Sequence, residues 1–369
     1  MRASHVVEHK DGTWTDTASL SYGIRHTNVP REIYFKSTSG PFNESSDHLI
    51  PLTLLMTMVT GESLDIEGSV SPQFMANVPK IQAILQAFTR VHHQDIPAID
   101  VSVSSQAVQE LPEGRGRALF FSGGVDSTFS AIRDRDKLDA LVFIHGFDLD
   151  VRDEEWRRLA AQRVRSSAAA IGLPLIEIET TMSRFMGRAS SWRVAYGPAL
   201  ATIALLLQPL FREMNFSSGR AYTRLGATGS HPMLDPLWST ENMEIVHNGG
   251  DMERWQKIAY LADNPIAQQH LRICFERKSA PYNCGECGKC TTTMITLAAL
   301  GALDKFDVFA KPLDFDHISR MDLSDEALRH RIEDSLRILD GPDGKPFPEL
   351  RRALVRSLEG WVESLREPV

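Results

Sequence analysis

Cysteine is scarce in this chain. Its 369 residues include 4, and all of them fall between Cys274 and Cys290. A disulfide framework would spread cysteines along the chain, so one is excluded. Positive charge is in deficit: Lys plus Arg number 40 against 48 Asp plus Glu, for a formal net charge of −8 with no run of like positive charge. Bulk nucleic-acid binding, which depends on a basic face, is thereby demoted, although a local basic groove stays compatible with the composition. Long apolar runs are missing too. The most apolar stretch, 198–211, is broken by Gln208 and Pro209 and falls short of the roughly 20 residues needed to cross a bilayer. The first residues carry Arg2, His5, Glu8, Lys10 and Asp11 and no apolar core of a secretory signal, so a cytoplasmic location is expected. No internal repeat or low-complexity segment is present.

What remains is the composition of a folded protein, 42% hydrophobic and 24% charged. Two or three domains are expected, because one core rarely grows past roughly 250 to 300 residues. From residue 31 the pattern reads as a small α/β unit with a strand at 31–37, an apolar helix at 47–60 stopped by Gly61, and a short strand around Leu64 and Ile66. Ser71 and Pro72 open a second helix, with Ile81, Ile84, Leu85 and Phe88 on one face, and 99–103 reads as another strand. Met56, Met58 and Met75 in this unit read as core rather than ligands. The Gly- and Pro-rich segment 111–117 marks a boundary.

Beyond that boundary strands and helices alternate: strands at 118–121, 140–144, 175–179 and 213–217, separated by helices at 126–133, 153–171 and 198–207. Alternation of this kind predicts a doubly wound parallel sheet with its ligand site beyond the C-terminal strand ends. The expected fold is therefore α/β, with an N-terminal α/β domain at 1–113, a central domain at 114–300 and a helical C-terminal extension at 301–369. Within the last part, Leu350, Leu354, Leu358, Trp361, Val362 and Leu365 form one apolar stripe. The stripe is expected to pack on the main domain, a homodimer interface being its other occupant.

Directly after the first central strand comes Ser122-Gly123-Gly124-Val125-Asp126-Ser127. Two glycines between strand and helix allow a tight turn that aims consecutive amides at an anion, with the positive end of the helix dipole behind them. The flanking serines add hydroxyls, which makes the loop a phosphate cradle. It has no lysine and no Gly-x-Gly-x-x-Gly spacing, so γ-phosphoryl transfer and nicotinamide chemistry lose ground. The loop resembles the PP-loop of N-type ATP pyrophosphatases. That resemblance implies ATP cleaved between its α and β phosphates, with a substrate oxygen attacking the α phosphorus. Asp126, at the helix mouth, is then expected to act through a Mg²⁺ ion lying between its carboxylate and the phosphates.

The cysteines, Cys274, Cys284, Cys287 and Cys290, have the spacing C-x9-C-x2-C-x2-C, with Gly285 and Gly288 in the gaps. Two-residue gaps let thiolates converge on one tetrahedral ion, and four thiolates with no open position describe a structural Zn²⁺ site. An iron-sulfur cluster is the competing ligand.

A PP-loop followed by this cysteine pattern resembles the 7-cyano-7-deazaguanine synthases and their relatives, over about Arg117 to Leu300. The resemblance implies ATP activation of a 7-deazapurine-type carboxylate, amidation by ammonia, and in the full reaction dehydration of the amide to a nitrile. The sequence departs from that family at Val164, where a histidine usually follows the pair matched by Gln162 and Arg163, and in a loose substrate loop at 229–238. The N-terminal domain and the helical extension are additional. Some relatives belong to bacterial anti-phage systems, which makes a protein substrate in place of a free base an expectation to weigh.

Further candidates lie near the strand ends. Gly219 and Arg220 are positioned to touch phosphate. His231, Asp235 and Trp238 sit in a loop where a carboxylate and a ring could hold a purine-like base, an ordinary ordered loop being the other reading. His145, Asp148 and His247 are read chiefly as structural. The leading expectation is an ATP-dependent C–N ligase; a non-catalytic ATP-binding module that recruits a partner is the alternative. A tRNA sulfur transferase of the same loop class needs a thiol beyond the metal ligands, and none is left.

Overall fold

A computed structural model describes residues 1–23, 30–147, 149–274 and 283–364. Asp148 and Leu365, singled out above, lie outside the described residues. The chain opens with a hairpin, β1 (Arg2–Lys10) and β2 (Thr13–Ser21), joined by Asp11-Gly12, both at positive φ. Next come β3 (Glu32–Ser37), α1 (Leu49–Thr60), β4 (Leu64–Val70), α2 (Pro72–Val91) and β5 (Val101–Gln106). Ser71 caps α2 by accepting from the amide of Phe74 at 3.0 Å, as its side chain predicts. Met56 and Met58 are buried in the core, and Met75 packs against it.

The chain then enters the middle of the sheet. β6 (Gly116–Phe120), α3 (Val125–Arg133), β7 (Ala140–His145), α4 (Glu154–Ile171), β8 (Leu175–Thr180), α5 (Met182–Met186), α6 (Trp192–Leu206), β9 (Phe211–Ser217) and β10 (Glu244–Asn248) follow. The remainder is helical: α7 (Arg254–Ala262), α8 (Pro265–His270), α9 (Gly288–Ala299), α10 (Phe315–Ser319), α11 (Glu326–Asp340) and α12 (Pro348–Ser364).

Among the described residues the strands form one 10-stranded sheet in the order β10-β9-β6-β7-β8-β3-β2-β1-β4-β5. From β10 to β8 all neighbours are parallel; β3 joins β8 antiparallel through Phe35 and Thr180, so the strands of 1–113 continue the central sheet. β7 is buried along its whole length, as a central strand covered on both faces must be. Its side chains alternate accordingly. Ala140, Val142 and Ile144 pack with α1 and α6, while Leu141 and Phe143 pack with α4 on the opposite face.

Strand order reverses at β6. β7 and β8 lie on one side of it and β9 and β10 on the other, which opens a crevice beyond the strand ends for a ligand. The loop leaving β6 sits at that crevice. The C-terminal stripe packs inward: Leu350 and Leu354 are fully buried with Ile295, Ile318 and Ile332, Leu358 and Trp361 pack at the edge, and Val362 is exposed. No helix among the described residues is long and apolar enough to cross a membrane.

Candidate functional site

The loop after β6 is built by its own hydrogen bonds. Gly123 takes a φ of +76°, a left-handed conformation that costs any residue with a Cβ. The Gly124 amide donates to Ser122 Oγ, the Ser122 amide to Ser127 Oγ and the Ser127 hydroxyl to the Gly124 carbonyl, each at 3.3 Å. Gly124 is the N-cap of α3 and offers no side-chain cap, so the first-turn amides remain available to an anion. The loop is clamped from outside by Arg272, whose amide donates to the Gly123 carbonyl at 2.8 Å and whose Nη1 donates to the Ser122 carbonyl at 3.1 Å.

Asp126 points from the first turn of α3 toward α7. Arg254 Nη1 lies 2.5 Å from Asp126 Oδ2, and Lys257 Nζ lies 3.3 Å from Oδ1 while donating to the Ser218 carbonyl at 2.6 Å. Burial alone would raise the Asp126 carboxyl, but the charges of Arg254, Lys257 and Arg331 outweigh it and hold the group below its ordinary range. Lys257 is almost fully enclosed, and burial pulls its ammonium down despite the attraction of Asp126.

Around the loop is a cavity of about 350 Å³, within the size range of small-ligand sites. It has two characters. One wall is apolar and aromatic, made by Val142, Phe143, Ile144, Phe147, Trp192, Tyr196 and Leu200. The Trp192 ring meets Phe147 edge-on with centroids 5.4 Å apart. Burial raises the Tyr196 phenol, and the nearby charge of Asp235 adds to that. The other wall is cationic: Arg254, Arg272, Lys289 and Arg331 face the cavity against the one described carboxylate, Asp126. In a chain of net charge −8, this is a local inversion of sign.

The residues singled out by sequence divide sharply. Ser122, Gly124, Val125, Asp126, Ser127 and Gly219 line the cavity, and Gly123 shapes the loop behind them. Arg220 does not line it; its Nη1 sits 3.5 Å from the Arg224 carbonyl. His231, Asp235 and Trp238 are buried away from the cavity. Trp238 is 0% exposed and packs edge-on against Phe74 of α2, and His231 packs against Phe88. Asp235 accepts from Ser230 Oγ at 2.7 Å and from the His231 amide at 3.1 Å, and His247 Nδ1 lies 2.7 Å away. The physical cause is docking of their loop on α6, where the Gly229 amide donates to the Arg193 carbonyl at 2.7 Å. A Cβ at Gly197 would fall 1.7 Å from the Gly229 carbonyl oxygen. The ordinary-loop reading fits these three; Asp235 touches the cavity only through its effect on Tyr196. His145 pairs with Glu177 at 2.8 Å and does not line the cavity.

The four cysteines converge. Cys287 is the N-cap of α9 and Cys290 lies in its first turn, while Gly285, at φ +77°, turns the chain between Cys284 and Cys287. Asn283 brings Cys274 to them: its Oδ1 accepts from the Ile273 and Cys274 amides at 2.7 and 3.2 Å, and its Nδ2 donates to the Leu271 carbonyl at 2.9 Å. Cys284 Sγ lies 4.0 Å from Cys290 Sγ and Cys287 Sγ lies 3.8 Å from Cys274 Sγ, with all four sulfurs within 4.8 Å of one another. Four thiolates at about 2.3 Å from one tetrahedral ion would be about 3.8 Å apart. The spacing therefore suits a single metal ion, and the thiols are free of disulfides. Amides of Glu286 and Cys287 donate to Cys284 Sγ at 3.4 and 3.3 Å, which stabilises a thiolate there.

Sequence reasoning missed Arg254, Arg272, Lys289 and Arg331 at the cavity, and Lys257 behind Asp126. Arg254 and Lys257 stand three apart on α7 behind a capping box at Glu253 and Gln256, a local signal for the helix but not for its partner. Arg272 and Lys289 flank the cysteines closely enough that the metal element and the loop form one structure. A comparison with protein-family models found no match, and a comparison with curated proteins found none either.

Proposed function

We propose that the protein is an ATP-dependent C–N ligase of the PP-loop class, similar to the 7-cyano-7-deazaguanine synthases. The observation that carries this reading is the cavity at the reversal point of the sheet, lined by a Gly-Gly loop, a helix N-terminus, four cationic side chains and one described carboxylate. That charge pattern suits a polyphosphate, and the aromatic wall suits a planar base. A substrate carboxylate oxygen would attack the α phosphorus; the bond from that phosphorus to the bridging oxygen breaks and pyrophosphate leaves. Ammonia or an amine would then attack the acyl carbon of the mixed anhydride and displace AMP. The carboxylate is a 7-deazapurine-type acid or one carried by a protein, and an anti-phage role fits the latter.

The loop amides and the cations would stabilise charge that builds on the departing pyrophosphate, a preorganised contribution of the kind that commonly dominates catalysis. Asp126 is the carboxylate that would hold Mg²⁺, which would supply positive charge to offset that of the phosphates. Zn²⁺ is the ion that best suits four buried thiolates with no open position, and its role is structural. The test is incubation with ATP, Mg²⁺, ammonium and 7-carboxy-7-deazaguanine, or with candidate protein substrates, followed by mass spectrometry. Formation of AMP and pyrophosphate, abolished by Asp126→Ala in a folded protein, supports the reading; retained turnover in that variant removes Asp126 from it.

One observation favours a second reading, an ATP-binding module without turnover. The Asp126 carboxylate is already offset by Arg254 and Lys257, as a site that holds nucleotide without a metal would need. Adenylate formation on any carboxylate separates the two. A sulfur transferase is disfavoured, since every cysteine of the chain lies in the metal cluster.

A further inference from the structure

The helical extension beyond residue 300 reaches the loop cavity through one side chain. Arg331 of α11 lines it beside Arg254, although the two are separated in sequence by the whole metal element. α11 is fastened on both sides of this residue. Its N-cap, Asp325, pairs with Arg193 at the start of α6 at 2.6 Å. One turn after Arg331, Asp334 receives both guanidinium nitrogens of Arg224 at 2.7 and 2.8 Å. Ser335 Oγ lies 3.3 Å from Thr296 Oγ1 of α9, and Ile332 is fully buried. The position of Arg331 is therefore set by the fold and not by a flexible tail.

Its charge has no ion pair of its own among the described residues. Among the described residues no carboxylate lies within ion-pair distance of Arg331, and the hydrogen-bond partner of its guanidinium is a threonine hydroxyl, Thr292 Oγ1, at 3.5 Å. Asp334, three residues further on along α11, is taken by Arg224 and Arg337. Asp126 is engaged by Arg254 and Lys257. Burial, together with the neighbouring Arg254, pushes the Arg331 guanidinium down to about 10. The carboxylates that attract it, Asp126 and Asp325, are paired with other cations, and a buried cation held beside another cation without an ion pair of its own is costly unless a ligand supplies the anion.

We propose that Arg331 binds the terminal phosphates of the nucleotide directly, so that the C-terminal extension completes the phosphate site and strengthens its hold on pyrophosphate. This rests on the reading of the cavity as a nucleotide site, but the anion claim can be tested apart from it. A guanidinium offers forked donors to phosphate oxygens, which a lysine at the same place would only partly replace. The geometry assigns it to the leaving pyrophosphate and not to the base or ribose, because the aromatic wall comes from α6, β7 and Phe147 just after it, while Arg331 and Arg254 share the surroundings of Asp126 in the first turn of α3.

The experiment is calorimetric titration of the full chain with pyrophosphate, ATP and AMP, for the natural protein, Arg331→Met and Arg331→Lys, with melting curves alongside. The expected result is a loss of roughly 10- to 100-fold in pyrophosphate and ATP affinity for Arg331→Met, with AMP affinity changed by less than about 3-fold. Arg331→Lys should fall between. Equal affinities for pyrophosphate in all three proteins, or equal losses for AMP and pyrophosphate, overturn the proposal. If Arg331→Met fails to fold, Arg331→Lys with the pyrophosphate-to-AMP ratio unchanged overturns it equally. Should the natural protein bind pyrophosphate through Arg331 but no ATP or AMP, the nucleotide reading fails while the anion site stands.

Discussion

Asp126→Asn tests the electrostatics of the loop most directly. The substitution keeps shape and removes one negative charge from a cavity where Arg254 and Lys257 are its immediate partners. A phosphate seated on the α3 amides would stand about 6 Å from that carboxylate, where the repulsion at an effective dielectric of about 20 is about 3 kcal/mol. Asp126 retains partial access to solvent, and screening reduces the figure to about 1–2 kcal/mol. Pyrophosphate in Mg²⁺-free buffer should therefore bind Asp126→Asn roughly 5- to 30-fold more tightly than the natural protein, while Mg²⁺-dependent AMP formation falls. Lys257 loses its carboxylate in the variant, so the anion-free melting temperature should drop and recover on adding pyrophosphate. Isothermal titration and melting curves read both. Unchanged or weaker pyrophosphate binding would show that the carboxylate does not face the anion and would refute the argument.

Cys287→Ser should release the metal, read by elemental analysis, lower the melting temperature and weaken pyrophosphate binding, because Arg272 clamps the loop two residues from Cys274; a folded, metal-free variant with full affinity would sink the structural role. Gly123→Ala should cost about 1–2 kcal/mol in urea denaturation, since it forces a Cβ into the left-handed region at 3.4 Å from the Arg272 Cβ; no loss of stability would mean that the turn relaxes freely. Asp16 supplies an acid-range test. Burial raises its carboxyl, but His48 and then His5, 2.6 Å away, outweigh this and hold it at about 2 against 3.8. A depressed carboxyl stabilises the fold above its unfolded value, so about 2 kcal/mol is present above pH 3.8 and lost as pH falls through about 2. Asp16→Asn should flatten that part of the pH-stability curve, and an unchanged slope would reject the assignment. His48 contributes earlier: burial lowers it from 6.5, so the unfolded chain gains its proton first and stability should begin to fall below about pH 6.5.

The hairpin at the N-terminus shows where sequence reading stopped short. Asp11-Gly12 is a two-residue turn signal of the strongest kind, yet β1 is mostly exposed, so the alternating apolar pattern that would have revealed a strand is weak. Helix limits were better marked: Ser71 and Asp153 cap as expected, and Gly172 closes α4 at φ +78°. Local steric and hydrogen-bonding preferences act over a few residues and can be read there. β10, by contrast, is a five-residue strand stabilised mainly by pairing with β9.

The same division holds at the site. The loop Ser122–Ser127 and the cysteine cluster were legible because each is a short stretch whose chemistry depends on its own residues, and sequence also determined the alternation of strands and helices that puts the loop at a sheet end. Tertiary structure alone decided which charges face it. Arg254, Lys257 and Arg331 reach Asp126 across more than a hundred residues, and Trp238, a promising ring in sequence, is consumed by the core against Phe74. Coulomb attraction and burial depend on distance in space, and separation along the chain carries no record of that distance until the sheet and its helices have packed.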